Sequence, residues 1–279
     1  MSAQSPNPQT RTPNPQSLLR MATLLVASAV GVLAFLYPFF SQDVAQADGA
    51  QMVGHSQDAP LIFALLTILL LVTVISSLSS GQLNSKLIAV LGILAAVSAV
   101  LRLVPGPGGF SAIFFLPILA GYVYGPTFGF LLGSLGLAAS ALIGAGIGPW
   151  LPFQMFAAGW VGLLSGGLGM VMPARWVGTK GEVALLAGWG MVLGLGFGAV
   201  MNLWFWPFIT GGQQSALNWQ PGLSVVETLR RYALFYAVTS AWWDLGRAVG
   251  NAVLIVLLGW PILRVLRRFR AKFRFEVTG

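Results

Sequence analysis

Residues 146–160 read GIGPWLPFQMFAAGW. They lie between two long apolar segments, so they read as a loop running into a membrane helix. Pro149 and Pro152 stiffen the loop, while Gly146 and Gly148 let the backbone turn and approach its surroundings closely. Trp150, Phe153 and Trp160 add large flat faces, and Gln154 adds one neutral amide. No catalytic triad, metal-ligand cluster or phosphate-binding loop lies nearby in the sequence. A rigid aromatic loop with a lone amide suits holding a bulky solute better than breaking a bond.

The rest of the chain sets this loop in a membrane. Its composition is 56% hydrophobic and 8% charged, with mean hydropathy +0.81. The apolar residues fall in blocks of roughly 17–25, long enough to cross a bilayer as helices. They lack the inside–outside alternation of barrel strands. There is no cysteine, and His55 is the only histidine, so thiolate, disulfide and histidine-based metal chemistry are not expected. The net charge is +8, but six of the fifteen basic residues fall between 264 and 274, just after an apolar block. That placement reads as a positive-inside anchor touching anionic lipid, not as a nucleic-acid surface.

Eight spans are predicted. Two lie at 18–40 and 60–78, and six follow at 87–103, 111–124, 127–145, 152–172, 183–206 and 232–262. Residues 1–17, rich in Pro, Gln, Ser and Asn, read as a disordered cytoplasmic leader. The first span is too long for a signal-peptide core and reads as a retained anchor. Residues 41–59 carry Asp43, Asp48, His55 and Asp58 and no Lys or Arg, which reads as an outside loop. Arg11, Arg20, Lys86, Arg175, Lys180 and a basic tail at 269–279 then share the cytoplasmic face, so both termini are expected inside. Arg102, Arg230 and Arg231 fall outside and stand as exceptions.

Small residues describe the packing. Gly125, Gly129 and Gly133 recur every four residues, as do Ala158, Gly162 and Gly166, and Gly190, Gly194 and Gly198. Each set makes a smooth stripe where helix backbones can approach, and internal packing is expected for all three. In the third span Ala89, Gly92, Ala96 and Ala99 lie on one face, and Ala95 with Ala99 forms an AxxxA pair. That face reads equally well as internal packing or as a contact with another protein.

Few residues could carry chemistry. Asp244 and Arg247, at i and i+3 in the last span, share a helix face and can pair. They read either as a proton or ion relay or as a buried pair that fixes packing. The shortage of other membrane acids favours the pair. Asn251 lies one turn further along. Arg102 ends the third span just before VPGPGGF, residues 104–110. It could bind an anionic group or a carbonyl, or snorkel to headgroups. GPGGF and GIGPWLPF are expected on the same outer face, and Trp204, Trp206, Trp219, Trp242 and Trp243 near it. No nucleotide fingerprint is present.

These residues have a family likeness. Residues 94–134 (LAAVSAVLRLVPGPGGFSAIFFLPILAGYVYGPTFGFLLGS), 141–169 (ALIGAGIGPWLPFQMFAAGWVGLLSGGLG) and 242–268 (WWDLGRAVGNAVLIVLLGWPILRVLRR) resemble the substrate-binding S-components of energy-coupling factor (ECF) vitamin importers. The similarity runs over about residues 87–268, roughly two thirds of the chain, and is greatest to the cobalamin-type subgroup. It implies an all-α integral membrane protein whose six-helix substrate-binding unit, 87–268, carries two extra N-terminal helices within 18–78. It implies a vitamin, cobalamin by preference, held near the outer face of a prokaryotic plasma membrane. The expected ligand set is Arg102, Phe110, Trp150, Phe153, Gln154, Asn202, Trp206 and Trp243. The likeness also implies docking on a transmembrane coupling protein through Ala89, Gly92, Ala95, Ala96 and Ala99, with two cytoplasmic ATPases supplying energy. No catalytic residue, cofactor or metal is expected. The alternatives are a subunit for another vitamin such as riboflavin, a membrane enzyme acting on lipid through Asp244, and a proton-coupled carrier.

Overall fold

The computed structural model describes residues 15–40, 59–79, 85–209 and 215–273. His55, the acidic residues at 43, 48 and 58, most of the leader and Arg274 lie outside the described residues. The described residues are mostly helical, and eight segments among them are long and apolar enough to cross a membrane. The helices are α1 (Pro15–Leu36), α2 (Ala59–Ser79), α3 (Ser85–Leu103), α4 (Phe115–Tyr124), α5 (Pro126–Ser140), α6 (Leu151–Val171), α7 (Lys180–Phe205), α8 (Val225–Thr239) and α9 (Ala241–Phe273). Two short 3₁₀ turns between 107 and 114 lengthen the α4 span to Pro107–Tyr124.

Local chemistry sets the helix ends. Gly125 at φ +103° turns the chain from α4 into α5, and Pro126 opens the next helix where its missing N–H costs nothing. Thr179 caps α7 by accepting from the Glu182 N–H at 3.2 Å, and Ser224 caps α8 by accepting from the Glu227 N–H at 3.3 Å. The spanning helices alternate in direction. One end of the bundle gathers Arg102, Ser140 and Gln154, and the opposite end gathers Tyr122, Glu182 and Arg267.

Three sequence boundaries are corrected. The last span, expected over 232–262, is two helices broken at Ser240, which adopts φ −124° and ψ −25°. The Thr239 hydroxyl turns back onto the Phe235 carbonyl at 2.7 Å, and the Ser240 carbonyl accepts from the Asp244 N–H at 3.0 Å to start α9. At 15 residues α8 is too short to cross a bilayer. The tail expected from 269 instead continues α9 to Phe273, and the leader expected to reach 17 gives way to α1 at Pro15. A helix of 33 residues is about 50 Å long, well beyond the hydrocarbon thickness.

The three glycine stripes are internal seams, as the sequence suggests. A Cβ at Gly129 would strike the Gly162 carbonyl, and one at Gly162 would strike the Gly129 carbonyl. Gly133 lies against Ala158 and Gly166 against Gly125 and Pro126, so the first two stripes face each other along α5 and α6. The third stripe packs on α9, with Gly190 against Ile255, Gly194 against Ala248 and Gly198 against the Asp244 carboxylate. Helices α1 and α2 join the same apolar core through Leu24, Ala27, Phe35 and Leu66. Phe35 meets Phe153 edge-on at 5.1 Å, and the Trp160 indole N–H donates to the Ser28 hydroxyl at 3.2 Å.

Helix α3 divides the expected docking residues. Ala95 and Ala99 are buried, 6% and 1% exposed, on the side where Ser98 packs on Gly136 of α5. These two belong to the interior and are not on a free face. Ala89, Gly92 and Ala96 are exposed, beside Ile93, Val97 and Val100. The AxxxA pair and the exposed strip are different sides of one helix because each residue advances about 100° around the axis.

Candidate functional site

Arg102 sits in the last turn of α3, where the negative end of the helix favours a cation. Its guanidinium donates to the Ser140 hydroxyl at the end of α5, at 2.8 Å, and to the Gln154 amide oxygen in the first turn of α6, also at 2.8 Å. Ser140 is fixed in turn by donating to the Leu137 carbonyl at 2.7 Å. Among the described residues no carboxylate lies within ion-pair distance of Arg102. Its charge is held by neutral dipoles and keeps N–H groups to spare.

An aromatic wall adjoins this cluster. Trp150 and Trp204 meet edge-on with ring centres 6.4 Å apart, and Phe153 lies 6.4 Å from Trp204. The structure therefore unites Arg102, Trp150, Phe153 and Gln154 of the expected set. Phe153 is fully buried beneath Phe35 and serves as the backing of the wall, not as its face.

The remaining expected residues lie apart. Trp206 is buried in a separate cluster with Phe208, Trp219 and Phe235, where its indole N–H donates to the Leu217 carbonyl at 2.9 Å. It is a core residue, contrary to the expectation of ligand contact. Asn202 is buried, and its amide nitrogen finds no partner among the described residues. Phe110 covers Gly250 and lines a groove of about 570 Å³ between the 107–110 turn and the first half of α9. Trp243 covers Gly109 at the edge of that turn. The 147–152 segment lines a different groove, of about 320 Å³, against Ala59, Pro60 and Phe63 of α2. Where the sequence suggested one outward pocket, these loops border two separate grooves among the described residues.

Asp244 and Arg247 form the expected ion pair on α9. Arg247 also lies over the Phe197 ring, 5.3 Å from its centre. The second Asp244 oxygen rests on Gly198 and has no hydrogen-bond partner among the described residues. Asn251, fully buried two turns along from Asp244, has neither amide atom paired among the described residues. On α8, Tyr232 donates to the Ala199 carbonyl. Burial, followed by the Asp244 charge, pushes the Tyr236 hydroxyl up to about 12.

The opposite end holds a network that the sequence reading missed. Glu182 is fully buried and accepts from the Tyr122 hydroxyl at 2.6 Å, from the Gly178 N–H at 2.9 Å and from Arg267. Arg270 donates to the Val123 carbonyl at 2.6 Å, and Tyr124 donates to the Leu266 carbonyl at 3.0 Å. One sequence signal was available: Thr179 to Glu182 is a T-x-x-E helix start, which marks Glu182 as a first-turn carboxylate. Nothing local marks Tyr122 or Arg267 as its partners.

Comparison with models of known families, with curated proteins and with solved structures finds no match to this chain.

Proposed function

We propose that the protein is the substrate-capture subunit of a membrane importer, of the ECF S-component kind, and that it binds a vitamin at the Arg102 end of the bundle. The observation that carries this reading is Arg102 itself. It is a cation held by two neutral side chains, without a carboxylate among the described residues, beside the Trp150–Trp204 wall. A large ring compound with carbonyl or anionic substituents would satisfy the spare N–H groups and stack on the indoles. Cobalamin, amide-rich and amphipathic, is the preferred ligand, and riboflavin is the alternative.

In this reading α3 to α7 and α9 form the six-helix unit, and α1 and α2 are additions packed on α6. The Arg102 end faces outward in a prokaryotic plasma membrane, and both termini are cytoplasmic. A coupling protein, driven by two ATPases, would dock on the exposed strip of α3 at Ala89, Gly92 and Ala96. The competing reading of a lipid-acting enzyme is weakened by the surroundings of Asp244, which is buried between Arg247 and Gly198.

The test is binding of cobalamin, riboflavin, biotin and pantothenate to the purified protein in detergent. Cobalamin should bind with a stoichiometry near one and bind markedly more weakly to Arg102→Gln. If none of the four binds, or if Arg102→Gln binds as the parent does, the proposed ligand site is wrong.

A further inference from the structure

A groove of about 510 Å³ runs along the side of the bundle at the Glu182 end, lined by Lys180, Val183, Ala184, Val256 and Trp260. Apart from Lys180 its walls are apolar. Val256, Trp260 and Arg264 stand on successive turns of α9, so the wall leads from aliphatic to aromatic to cationic. The Arg264 guanidinium lies over the Trp260 ring, 5.6 Å from its centre, which holds it at the mouth of the groove. Lys180 faces the same mouth from the first turn of α7, whose positive helix end also favours an anion.

The charges around this mouth are unbalanced. Glu182 is the one carboxylate of the described residues at this end, and it is occupied by Arg267, Tyr122 and Gly178. Arg270 is turned to the Val123 carbonyl. Neither Lys180 nor Arg264 has an acidic partner among the described residues. An apolar slot leading to two uncompensated cations beside a tryptophan has the chemistry of a bound lipid: hydrocarbon along the walls, phosphate at the mouth.

We propose that this groove is a site for one anionic phospholipid, with an acyl chain along Val183, Ala184 and Val256 and the headgroup phosphate on Lys180 and Arg264. The site is independent of the solute bound at the other end. The full-length protein is reconstituted in nanodiscs of equal phosphatidylglycerol and phosphatidylcholine with matched chains, and the lipid retained on release is counted by native mass spectrometry. One phosphatidylglycerol should be retained over phosphatidylcholine by about tenfold. The K180Q/R264Q variant should lose that preference. The R268Q/K272Q variant, which removes the same charge from exposed positions in the last two turns of α9, should keep it. Trp260→Ala should lower retention with the charges intact, and water-soluble glycerophosphoglycerol should not displace the lipid. Equal retention of both lipids overturns the proposal, as does K180Q/R264Q behaving as the parent. So does a loss as large in R268Q/K272Q, which would mean diffuse attraction in place of a site. Displacement by glycerophosphoglycerol would remove the acyl groove from the account.

Discussion

The Glu182 end and the Arg102 end of this bundle each centre on one buried or half-buried charge, and they resolve it differently. At the Glu182 end a carboxylate meets a guanidinium, a phenol and a backbone N–H, and α4, α7 and α9 are tied together there. At the Arg102 end a guanidinium meets a hydroxyl and an amide, while Asn202, Asp244 and Asn251 on α7 and α9, and Tyr236 on α8, leave polar atoms without partners among the described residues. A charge neutralised from within fixes structure. A charge steadied only by dipoles leaves its electrostatic attraction for something else. The contrast separates an end whose charge is neutralised within the fold from the end that the proposed function assigns to a solute.

The largest expected effect comes from the α3–α5 seam, one turn from Arg102. Ala99→Trp should abolish folding, because the side chain would be forced into the α3–α5 seam at a position 1% exposed. Gly92→Trp should fold, since nothing lies within 4 Å of a Cβ built there. If α3 docks a coupling protein, the second variant alone should bind ligand and fail in transport. Yield and size-exclusion profile check the first variant, and uptake beside ligand binding checks the second.

Next in size is Glu182→Ala. It strands Arg267 and leaves the Tyr122 hydroxyl unpaired, for a loss of about 3 kcal/mol. That figure is set at the low end of the range for broken buried pairs because Arg267 is 30% exposed. Arg102→Gln should cost less than about 1 kcal/mol, since the groups it leaves are neutral. Melting temperatures of the two variants in detergent test the contrast between the ends. Equal losses, or the reverse order, would break it.

The Asp244–Arg247 pair sharpens the comparison further. Asp244→Asn and Arg247→Gln should each lower the melting temperature, and the double variant should recover part of the loss, with a coupling of about 2 kcal/mol. If Asp244→Asn melts as the parent does while uptake vanishes, the pair belongs to the transport mechanism and not to the scaffold.

The smallest effect lies on α8. The hydrogen bond from Arg231, then the Arg230 and Arg231 charges, hold the exposed Glu227 carboxyl below its ordinary value of 4.5. A depressed folded-state value contributes stability that is present above 4.5 and lost as the pH falls through the lower value. The melting temperature of the parent should therefore drop slightly more than that of Glu227→Gln below that pH. Identical pH profiles would show that the contact at 3.0 Å contributes nothing measurable.

Much of this was legible in the chain. Hydropathy located seven of the eight spans within a few residues, and the four-residue glycine repeats identified the α5–α6 and α7–α9 seams. The break at Ser240 was not legible from hydropathy, because Leu234 to Val238 run apolar into Ala241. The signal was the Thr239–Ser240 pair, whose hydroxyls offer the backbone an alternative to continuing the helix. Arg102 and Gln154 could be placed on one face of the membrane but not in contact. Trp206 and Phe153 read as ligand faces because a large aromatic ring looks the same in a wall and in a core.

The sequence by itself determined that the chain forms membrane-spanning helices, roughly where all but the last of them lie, and which stripes are smooth enough for close packing. Those properties follow from segment length, polarity and residue size, and the bilayer enforces them on each helix separately. Only the tertiary structure decided that Glu182 meets Arg267 across 85 residues, that Arg102 reaches Ser140 and Gln154, and that Ala99 turns inward while Gly92 turns out. These depend on how each helix is rotated about its own axis. Lipid and protein interior are equally apolar, so hydropathy does not fix that rotation. Contact between small-residue stripes and the few polar partners does.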